Sequence, residues 1–157
     1  MSATTPEPAS VEAVRPRGCT NFKLRQLARR VTRYYDHEVG KSGLKTTQYS
    51  LLTHVARLGP VAPGELARAM TMDASTLTRN LKPLVAAGWL TLEPGTDGRS
   101  RSVALTAAGR AKRADAQRRW KVAQESVNRL LGEQRVLTLH ALIDEALELL
   151  PAGDSDD

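Results

Sequence analysis

The sequence predicts a mainly α-helical protein with one small β-hairpin. Apolar residues recur every three or four positions through most of residues 20–150, which is typical of amphipathic helices. The spacing changes once, over residues 89–105, to short alternating segments on either side of Asp97-Gly98, a dipeptide that favours a tight turn. The predicted order is therefore four helices, a hairpin and two further helices.

Length and composition restrict the class of protein. The 157 residues suffice for one domain with a hydrophobic core and are too few for two large ones. No apolar run approaches the ~20 residues that span a bilayer, and residues 1–16 lack the apolar centre of a secretory signal. We therefore expect a cytoplasmic protein with no membrane partner. The single cysteine, Cys19, excludes an intrachain disulfide and fits a reducing compartment.

Charge is unevenly distributed along the chain. Residues 1–132 carry 22 Lys and Arg against 10 Asp and Glu, a net charge of +12, whereas residues 133–157 carry 1 against 7, a net charge of −6. A strongly basic body favours a polyanionic partner through counterion release. On charge alone, a merely solvated basic surface stays open as the alternative.

The first half of the chain predicts three helices. The first begins near Thr20, taken as its N-cap, and fades near residue 40; the second is capped by Thr46 or Thr47 and stops at Gly59-Pro60. Pro63 suits the first turn of a short third helix, because its missing N–H has no intrahelical partner there.

The fourth helix is predicted between Asp73 as N-cap and Gly88 as the residue after its end. Pro83 lies inside it, where a proline removes a backbone hydrogen bond and costs ~3 kcal/mol or bends the axis. We expect a bend there or an early tightening of the last turn, rather than a helix that ends at Lys82, because residues 84–88 continue the apolar pattern. The face opposite its apolar stripe is polar and basic, and it carries Ser75, Thr76, Thr78, Arg79 and Lys82.

Two long helices complete the chain. Thr106 is expected to cap a fifth helix that runs to about Leu131, and a sixth helix follows Gly132. The fifth offers a set of residues for packing: Ala108, Ala111, Trp120, Ala123, Val127 and Leu130. The sixth is apolar on more than one side, which exceeds what one neighbouring helix can cover, and so predicts a second chain.

Four segments together resemble the MarR family of bacterial transcriptional regulators over roughly residues 20–150. They are Ser-Thr-Leu-Thr-Arg-Asn-Leu at residues 75–81, Ala-Gly-Trp-Leu at residues 87–90, Asp97-x-Arg99, and Leu105-Thr106-x-x-Gly109. The resemblance implies a winged helix-turn-helix with a small β-hairpin wing, flanked by N- and C-terminal dimerisation helices. It implies one domain over residues 19–150, with dimerisation helices at 19–45 and 106–150 and the DNA-binding lobe at 46–105. Residues 1–18 and the acidic residues 151–157 are expected to be disordered tails.

The resemblance also implies a function: a homodimeric, sequence-specific regulator that binds double-stranded DNA at a pseudo-palindromic operator, with repression favoured by the habit of the family. Arg99 matches the wing-tip arginine that enters the minor groove, and Asp97 matches the acid that holds it. On the fourth helix, Arg79 is suited to a guanine edge and Lys82 to a phosphate, while its hydroxyl residues reach bases or phosphates. The alternative for Arg79 and Lys82 is simple solubility, and Arg101 is as readily solvated as bound to phosphate.

Two routes of regulation are open. The usual ligand of the family is a small aromatic or anionic molecule bound between the DNA-binding lobe and the dimerisation helices, and several residues lie on the bordering elements: Tyr34, Tyr35, Thr47, Tyr49 and His54. At helical spacing such residues are more often core than ligand contacts. The other route is oxidant sensing by Cys19, which is similar to one branch of the family but stands about two residues too early; an inert thiol is the alternative.

Other classes of function find little support. The sequence has no Gly-rich phosphate loop, nucleophile elbow or His-Glu metal motif, so it predicts neither an enzyme nor a bound cofactor. Its three histidines are too scattered to predict a metal site. A non-specific architectural DNA binder stays open, because basic charge alone would serve it.

Overall fold

A computed structural model of the chain describes residues 17–95, 98 and 100–150. Within these residues the elements are α1 (Thr20–Val39), a short 3-10 helix (Gly40–Ser42), α2 (Thr46–Leu58), α3 (Pro63–Ala69), α4 (Ala74–Ala86), β1 (Leu90–Pro94), β2 (Arg101–Leu105), α5 (Ala107–Leu131) and α6 (Glu133–Leu149). The predicted order of elements is confirmed. Asp97, Arg99 and nearly all of the two predicted tails lie outside the described residues.

The starts of α1 and α2 differ from the predicted caps by one or two positions. Cys19, not Thr20, is the N-cap of α1, and no side chain closes that end. Lys45 is the N-cap of α2, and its amide donates to Gln48 Oε1 at 2.9 Å. The amide of Thr46 donates to Asp36 Oδ1 on α1 at 3.1 Å. The prediction that a threonine caps each helix is therefore wrong. No side chain accepts at the start of α1, whereas the side chains of Gln48 and Asp36 accept at the start of α2.

The ends of α4 agree with the sequence. Asp73 caps its start, accepting from the Thr76 amide at 2.7 Å. Its end is a Schellman motif: Gly88, with φ +74°, donates to Val85 O at 2.9 Å, and the next amide donates to Leu84 O at 3.0 Å. Pro83 lies inside the helix, which continues past it to Ala86.

The hairpin is antiparallel, with Leu90 opposite Leu105 and Leu92 opposite Val103. Val61, in the link between α2 and α3, adds a bridge that the sequence did not predict: it exchanges two backbone hydrogen bonds with Val103, of 3.0 and 2.8 Å. Fully buried side chains from three helices and both strands fill the space beneath the hairpin; they include Leu52, Leu66, Leu77, Leu84, Leu90 and Val103. This core fixes α4 and the hairpin to one platform.

The packing face of α5 is only partly the predicted one. Ala123 and Val127 are buried and Trp120 is half-buried, as expected. Ala108, Ala111 and Leu130, however, are exposed, and the helix buries Gly109 and Ala116 instead. The difference arises because α5 contacts α1, α2 and the hairpin at different points along its length, so no single stripe describes its inner face.

The sixth helix is left largely uncovered within one chain. Val136 is its one buried residue, and every residue from 141 to 150 is exposed. The large apolar side chains that are more than half exposed on α1 and from α5 onward are Phe22, Leu24, Leu130, Leu137, Leu142, Leu147, Leu149 and Leu150. Among the described residues, no helix has the length and apolar character needed to cross a bilayer.

Candidate nucleic-acid interface

The polar residues predicted on α4 share one side of the helix. Leu77, Leu81 and Leu84 are buried against the platform. The opposite side carries four exposed residues and one half-buried one: Ser75, Thr78, Arg79 and Lys82 are exposed, and Thr76 is half-buried. Among the ion pairs of the described residues, none involves Arg79 or Lys82. The cationic charge of this face is therefore available to an external partner.

Asp73 organises the first turn of this face. Its carboxylate accepts from the Ser75 hydroxyl at 2.6 Å, the Thr76 amide at 2.7 Å and the Thr76 hydroxyl at 2.7 Å. These bonds, with that of Ser75 the largest contributor, hold the pKa of Asp73 well below its ordinary value of 3.8. The sequence predicted the cap but not the capture of the two hydroxyl groups, since nothing in the residue order shows rotamers.

The hydroxyl groups of α4 consequently act as acceptors. The Ser75 and Thr76 protons point to Asp73, and the Thr78 hydroxyl donates to Ala74 O at 2.8 Å. Arg79 uses one N–H on the Thr76 hydroxyl, at 3.3 Å. Because a guanidinium has five donors, most of those of Arg79 remain free.

The wing is described except at its tip. Its loop is closed by Gly95, whose amide donates to Ser100 O at 2.7 Å, and by Gly98, whose amide donates to Gly95 O at 3.0 Å. Gly98 has φ +69°, a left-handed conformation that glycine adopts without strain. Arg101 begins β2 and is exposed. Asp97 and Arg99 belong to the part of the loop outside the described residues.

One junction ties α4, the wing and α5 together. The Thr106 hydroxyl donates to Gly88 O at 2.6 Å and accepts from the Gly109 amide at 2.9 Å, and the Thr106 amide donates to Trp89 O at 3.2 Å. Lys112 Nζ lies 5.0 Å from the centroid of the Trp89 ring, within the range of a cation–π contact. The end of the exposed helix and the root of the wing are thus held in a fixed relation.

A groove separates the start of α2 from α4, with a cavity volume of about 180 Å³. We call it the Lys45 groove; its lining residues are Lys45, Thr47, Gln48 and Leu51 from the α2 side and Arg79, Asn80 and Pro83 from α4. Thr47, which the sequence offered as a ligand contact, lies here beside the exposed face of α4.

A larger cleft, of about 630 Å³, opens between α1, α2 and α5. We call it the Trp120 cleft; it is lined by Val31, Tyr35, Thr46, Tyr49, Ser50, Thr53, Arg113, Gln117, Trp120 and Gln124. The rings of Tyr35 and Tyr49 each lie 6.4 Å from that of Trp120. The Tyr35 hydroxyl donates to Gln124 Oε1 at 2.6 Å, and burial raises its pKa.

The Trp120 cleft has polar groups suited to a charged ligand. Among the described residues that line it, Arg113 is the one cation and none is acidic; Arg113 Nε donates to the Thr53 hydroxyl at 3.4 Å. The Thr46 hydroxyl oxygen is buried and has no hydrogen-bond partner in the described part of the chain. A buried polar atom without a partner costs about 1–3 kcal/mol of stability.

The remaining candidate residues lie elsewhere. Tyr34 is exposed on α1 beside Arg30, Arg33 and His37, outside the Trp120 cleft. His54 contacts the backbone of its own helix, with Nδ1 2.8 Å from Ser50 O. Of the five predicted ligand contacts, the structure therefore brings together Tyr35 and Tyr49.

Cys19 is exposed at the start of α1. Its carbonyl accepts from the Lys23 amide at 3.1 Å. The ammonium group of Lys23 donates to Arg17 O at 3.0 Å, so this nearby cation is engaged with the backbone rather than with the thiol.

Comparison with known proteins gives the same class as the geometry. A profile of the MarR family matches residues 42–100. The HTH-type transcriptional regulator YwoH of Bacillus subtilis is 30% identical over 84 residues, which are 54% of this chain and 61% of that protein. The match thus spans less than two thirds of this curated relative.

Solved structures match over most of the chain. The M. tuberculosis transcriptional regulator MosR in complex with DNA is 32% identical with a TM-score of 0.71, covering 84% of this chain and 98% of that one. A probable transcriptional regulator from Pseudomonas aeruginosa is 27% identical with a TM-score of 0.74, covering 81% and 96%. A mutant of E. coli MarR complexed with operator DNA, at 22% identity and a TM-score of 0.76 over 81% and 92%, shares the fold.

A polar helix face locked beside a hairpin, in a chain with these structural relatives, defines a winged helix-turn-helix transcriptional regulator. The chain belongs to the MarR family. The resemblance predicted from its sequence is therefore confirmed.

Proposed function

We propose that this protein is a homodimeric, sequence-specific DNA-binding repressor that a small aromatic anion releases from its operator. The observation that carries the proposal is the exposed, unpaired cationic face of α4, held by Thr106 at a fixed position beside the wing. The two relatives solved with DNA, MosR and MarR, support the same partner.

In this proposal α4 recognises the bases. Arg79 donates two parallel hydrogen bonds to the O6 and N7 atoms of a guanine, and Lys82 contacts a phosphate. The hydroxyl groups of Ser75, Thr76 and Thr78 accept rather than donate, because their protons are used within the helix. They therefore favour the amino groups of adenine or cytosine over phosphate oxygens.

The wing supplies the second contact. A narrow A/T-rich minor groove concentrates negative potential, and a guanidinium is more weakly hydrated than an ammonium, so Arg99 is suited to enter it. Asp97 holds Arg99 in position, and Arg101 binds the flanking phosphate. These three roles rest on the family motif and on the position of the loop after β1.

The homodimer follows from the uncovered apolar surface of α6 and α1. Leu137, Leu142 and Leu147 are each about 60% exposed or more in one chain. A surface of this kind on a two-fold axis is covered by the same surface of a second copy. Two α4 helices then read half-sites about one DNA turn apart, ~34 Å, which makes the operator pseudo-palindromic.

The Trp120 cleft is the proposed effector site. Three mutually tilted aromatic rings form an apolar wall, and Arg113 supplies a cation. Among the described residues, no carboxylate lines the cleft and the Thr46 hydroxyl lacks a partner. Together they fit the ring, the charge and a polar atom of a small aromatic acid. No comparable group surrounds Cys19 among the residues described, so the thiol route has no structural support of its own.

The proposal is tested with a duplex of ~30 bp recovered by repeated selection from random DNA. The wild type should prefer it over random DNA by ~10³-fold or more, which an architectural binder would not do. Arg79→Ala should lose about 1–3 kcal/mol of affinity and relax the sequence preference, and Arg99→Ala should bind at least about tenfold more weakly. Arg118→Ala, on the exposed side of α5, is the matched control. Selection that recovers no preferred sequence would overturn the proposal.

A further inference from the structure

The Lys45 groove carries two exposed cationic residues, Lys45 and Arg79, and the described part of its lining contains no acidic residue. Lys45 forms none of the ion pairs found among the described residues. Thr47 is exposed and also lines the groove. The groove is therefore a local concentration of positive charge with donor groups directed toward solvent.

Two backbone amides at the start of α2 already have acceptors: the amide of Lys45 donates to Gln48 Oε1 and the amide of Thr46 donates to Asp36 Oδ1. On the α2 side, Lys45 contributes an ammonium group and Thr47 a hydroxyl group to the lining. Leu51 and Pro83 add apolar surface. A volume of about 180 Å³ matches one small anionic group rather than a nucleobase pair or a peptide side chain with its backbone.

The groove is also continuous with the proposed DNA-reading surface. Arg79 belongs to both, since it lines the groove and projects from the exposed face of α4. When α4 lies in the major groove of DNA, the phosphates that border the major groove pass along a flank of the helix. The α2 side of α4 is the flank that offers an uncompensated lysine.

We propose that the Lys45 groove binds one phosphodiester of the DNA backbone through Lys45 and Thr47 and thereby fixes the depth of α4 in the major groove. The inference rests on the proposed DNA-binding function and extends the interface from α4 and the wing to α2. Pro83 lines the groove on the α4 side and adds apolar surface there.

The test is the salt dependence of binding to the selected duplex, measured by fluorescence anisotropy from 50 to 300 mM KCl. Each phosphate neutralised contributes about 0.9 to the slope of log K against log [salt]. Lys45→Ala should therefore make the slope shallower by about 0.9 for each protomer bound, and Lys45→Arg should restore it. Thr47→Val should weaken binding about 2- to 10-fold at every salt concentration without changing the slope, because it removes a neutral hydrogen bond.

Lys121→Ala, an exposed lysine of α5 outside the groove, is the control and should leave the slope unchanged. If the wild type binds the duplex and Lys45→Ala keeps the wild-type slope, the groove does not hold a phosphate, while DNA binding itself stands. If Lys45→Ala and Lys121→Ala flatten the slope equally, general basic charge is responsible and the inference is wrong. A wild type that binds no duplex overturns the proposed function instead.

Discussion

Gly109 in the first turn of α5 lies directly against the backbone carbonyl of Trp89 at the root of the wing. A Cβ at position 109 would overlap the Trp89 oxygen and stand 2.9 Å from Leu105 Cδ2. The Thr106 hydroxyl, which accepts from the Gly109 amide and donates to Gly88 O, holds the two segments at this separation. The wing and α5 therefore meet at a contact that only glycine permits.

Gly109→Ala should destabilise the protein by about 1–3 kcal/mol or more, because the overlap is with backbone atoms that have no rotamer to change. Gly64→Ala is the matched control: the position is helical, with nothing within 4 Å of the added carbon, so the substitution should stabilise α3 by about 0.5–1 kcal/mol. Urea unfolding of both variants measures the two changes in unfolding free energy, which should have opposite signs. Equal effects would mean that the contact at Gly109 is relieved by a rigid shift of α5.

The sequence predicted one side of this contact and not the other. Leu105-Thr106-x-x-Gly109 was recognised as a segment typical of the family, and the cap at Thr106 is confirmed because capping depends on residues three positions apart. The reason for the glycine is a residue twenty positions away, which no local pattern contains. The bridge between Val61 and Val103 escaped prediction for the same reason.

The candidate site was likewise predicted only where it depends on local sequence patterns. The exposed residues of α4 followed from helical periodicity, which fixes one face relative to the other. The sorting of Thr46 and Thr47 into two different clefts did not, because it depends on where α1, α4 and α5 cross α2. The burial of an unpartnered Thr46 hydroxyl is a property of that packing.

Asp73 should make the stability of α4 dependent on pH. Its pKa is lower in the folded chain than the ordinary value of 3.8, so the carboxylate stabilises the fold above that value and loses this contribution as the pH falls below it. Asp73→Asn keeps a capping oxygen but not the charge. The difference in unfolding free energy between wild type and Asp73→Asn should be greatest near neutral pH and shrink below about pH 4.

Thermal unfolding across a pH series measures that difference, and circular dichroism follows the total helical content of the chain. Asp115→Asn is the control, since it makes the same change of charge at an ion pair with Arg118 on the surface of α5. A difference between wild type and Asp73→Asn that stays constant from pH 7 to pH 3 would contradict the role of the carboxylate.

The dimer should depend on the apolar surface of α6. Leu147→Glu places a charge at a side chain that is 68% exposed in one chain, and in the proposed dimer that charge would be buried without a partner. We expect the dissociation constant of the dimer to rise about 100-fold or more, with the helical content of the monomer unchanged. Sedimentation velocity over a range of concentrations measures the change.

Leu58→Glu introduces the same charge at a partly exposed leucine of α2, outside the proposed interface, and should leave the dimer intact. A Leu147→Glu protein that sediments as the wild type does would exclude this part of α6 from the interface. Loss of the dimer in both variants would point to general destabilisation instead.

Removal of the Thr46 hydroxyl should raise the stability of the unliganded protein and weaken the binding of the effector. Thr46→Val removes a buried hydroxyl oxygen that has no partner in the described chain and keeps the shape of the side chain. The unliganded protein should therefore gain about 1 kcal/mol in stability, since the penalty of an unsatisfied polar atom is relieved. Binding of 4-hydroxybenzoate, which should use that oxygen, should weaken about 2- to 10-fold.

Isothermal titration calorimetry and thermal unfolding, each with and without 4-hydroxybenzoate, separate the two parts. Arg113→Met should abolish the preference for the benzoate over the uncharged benzamide, because Arg113 is the one cation among the described residues that line the Trp120 cleft. Arg119→Met, an exposed neighbour on α5, should keep it. If Thr46→Val destabilises the unliganded protein and binds the benzoate as the wild type does, the hydroxyl is satisfied within the chain and the ligand lies elsewhere.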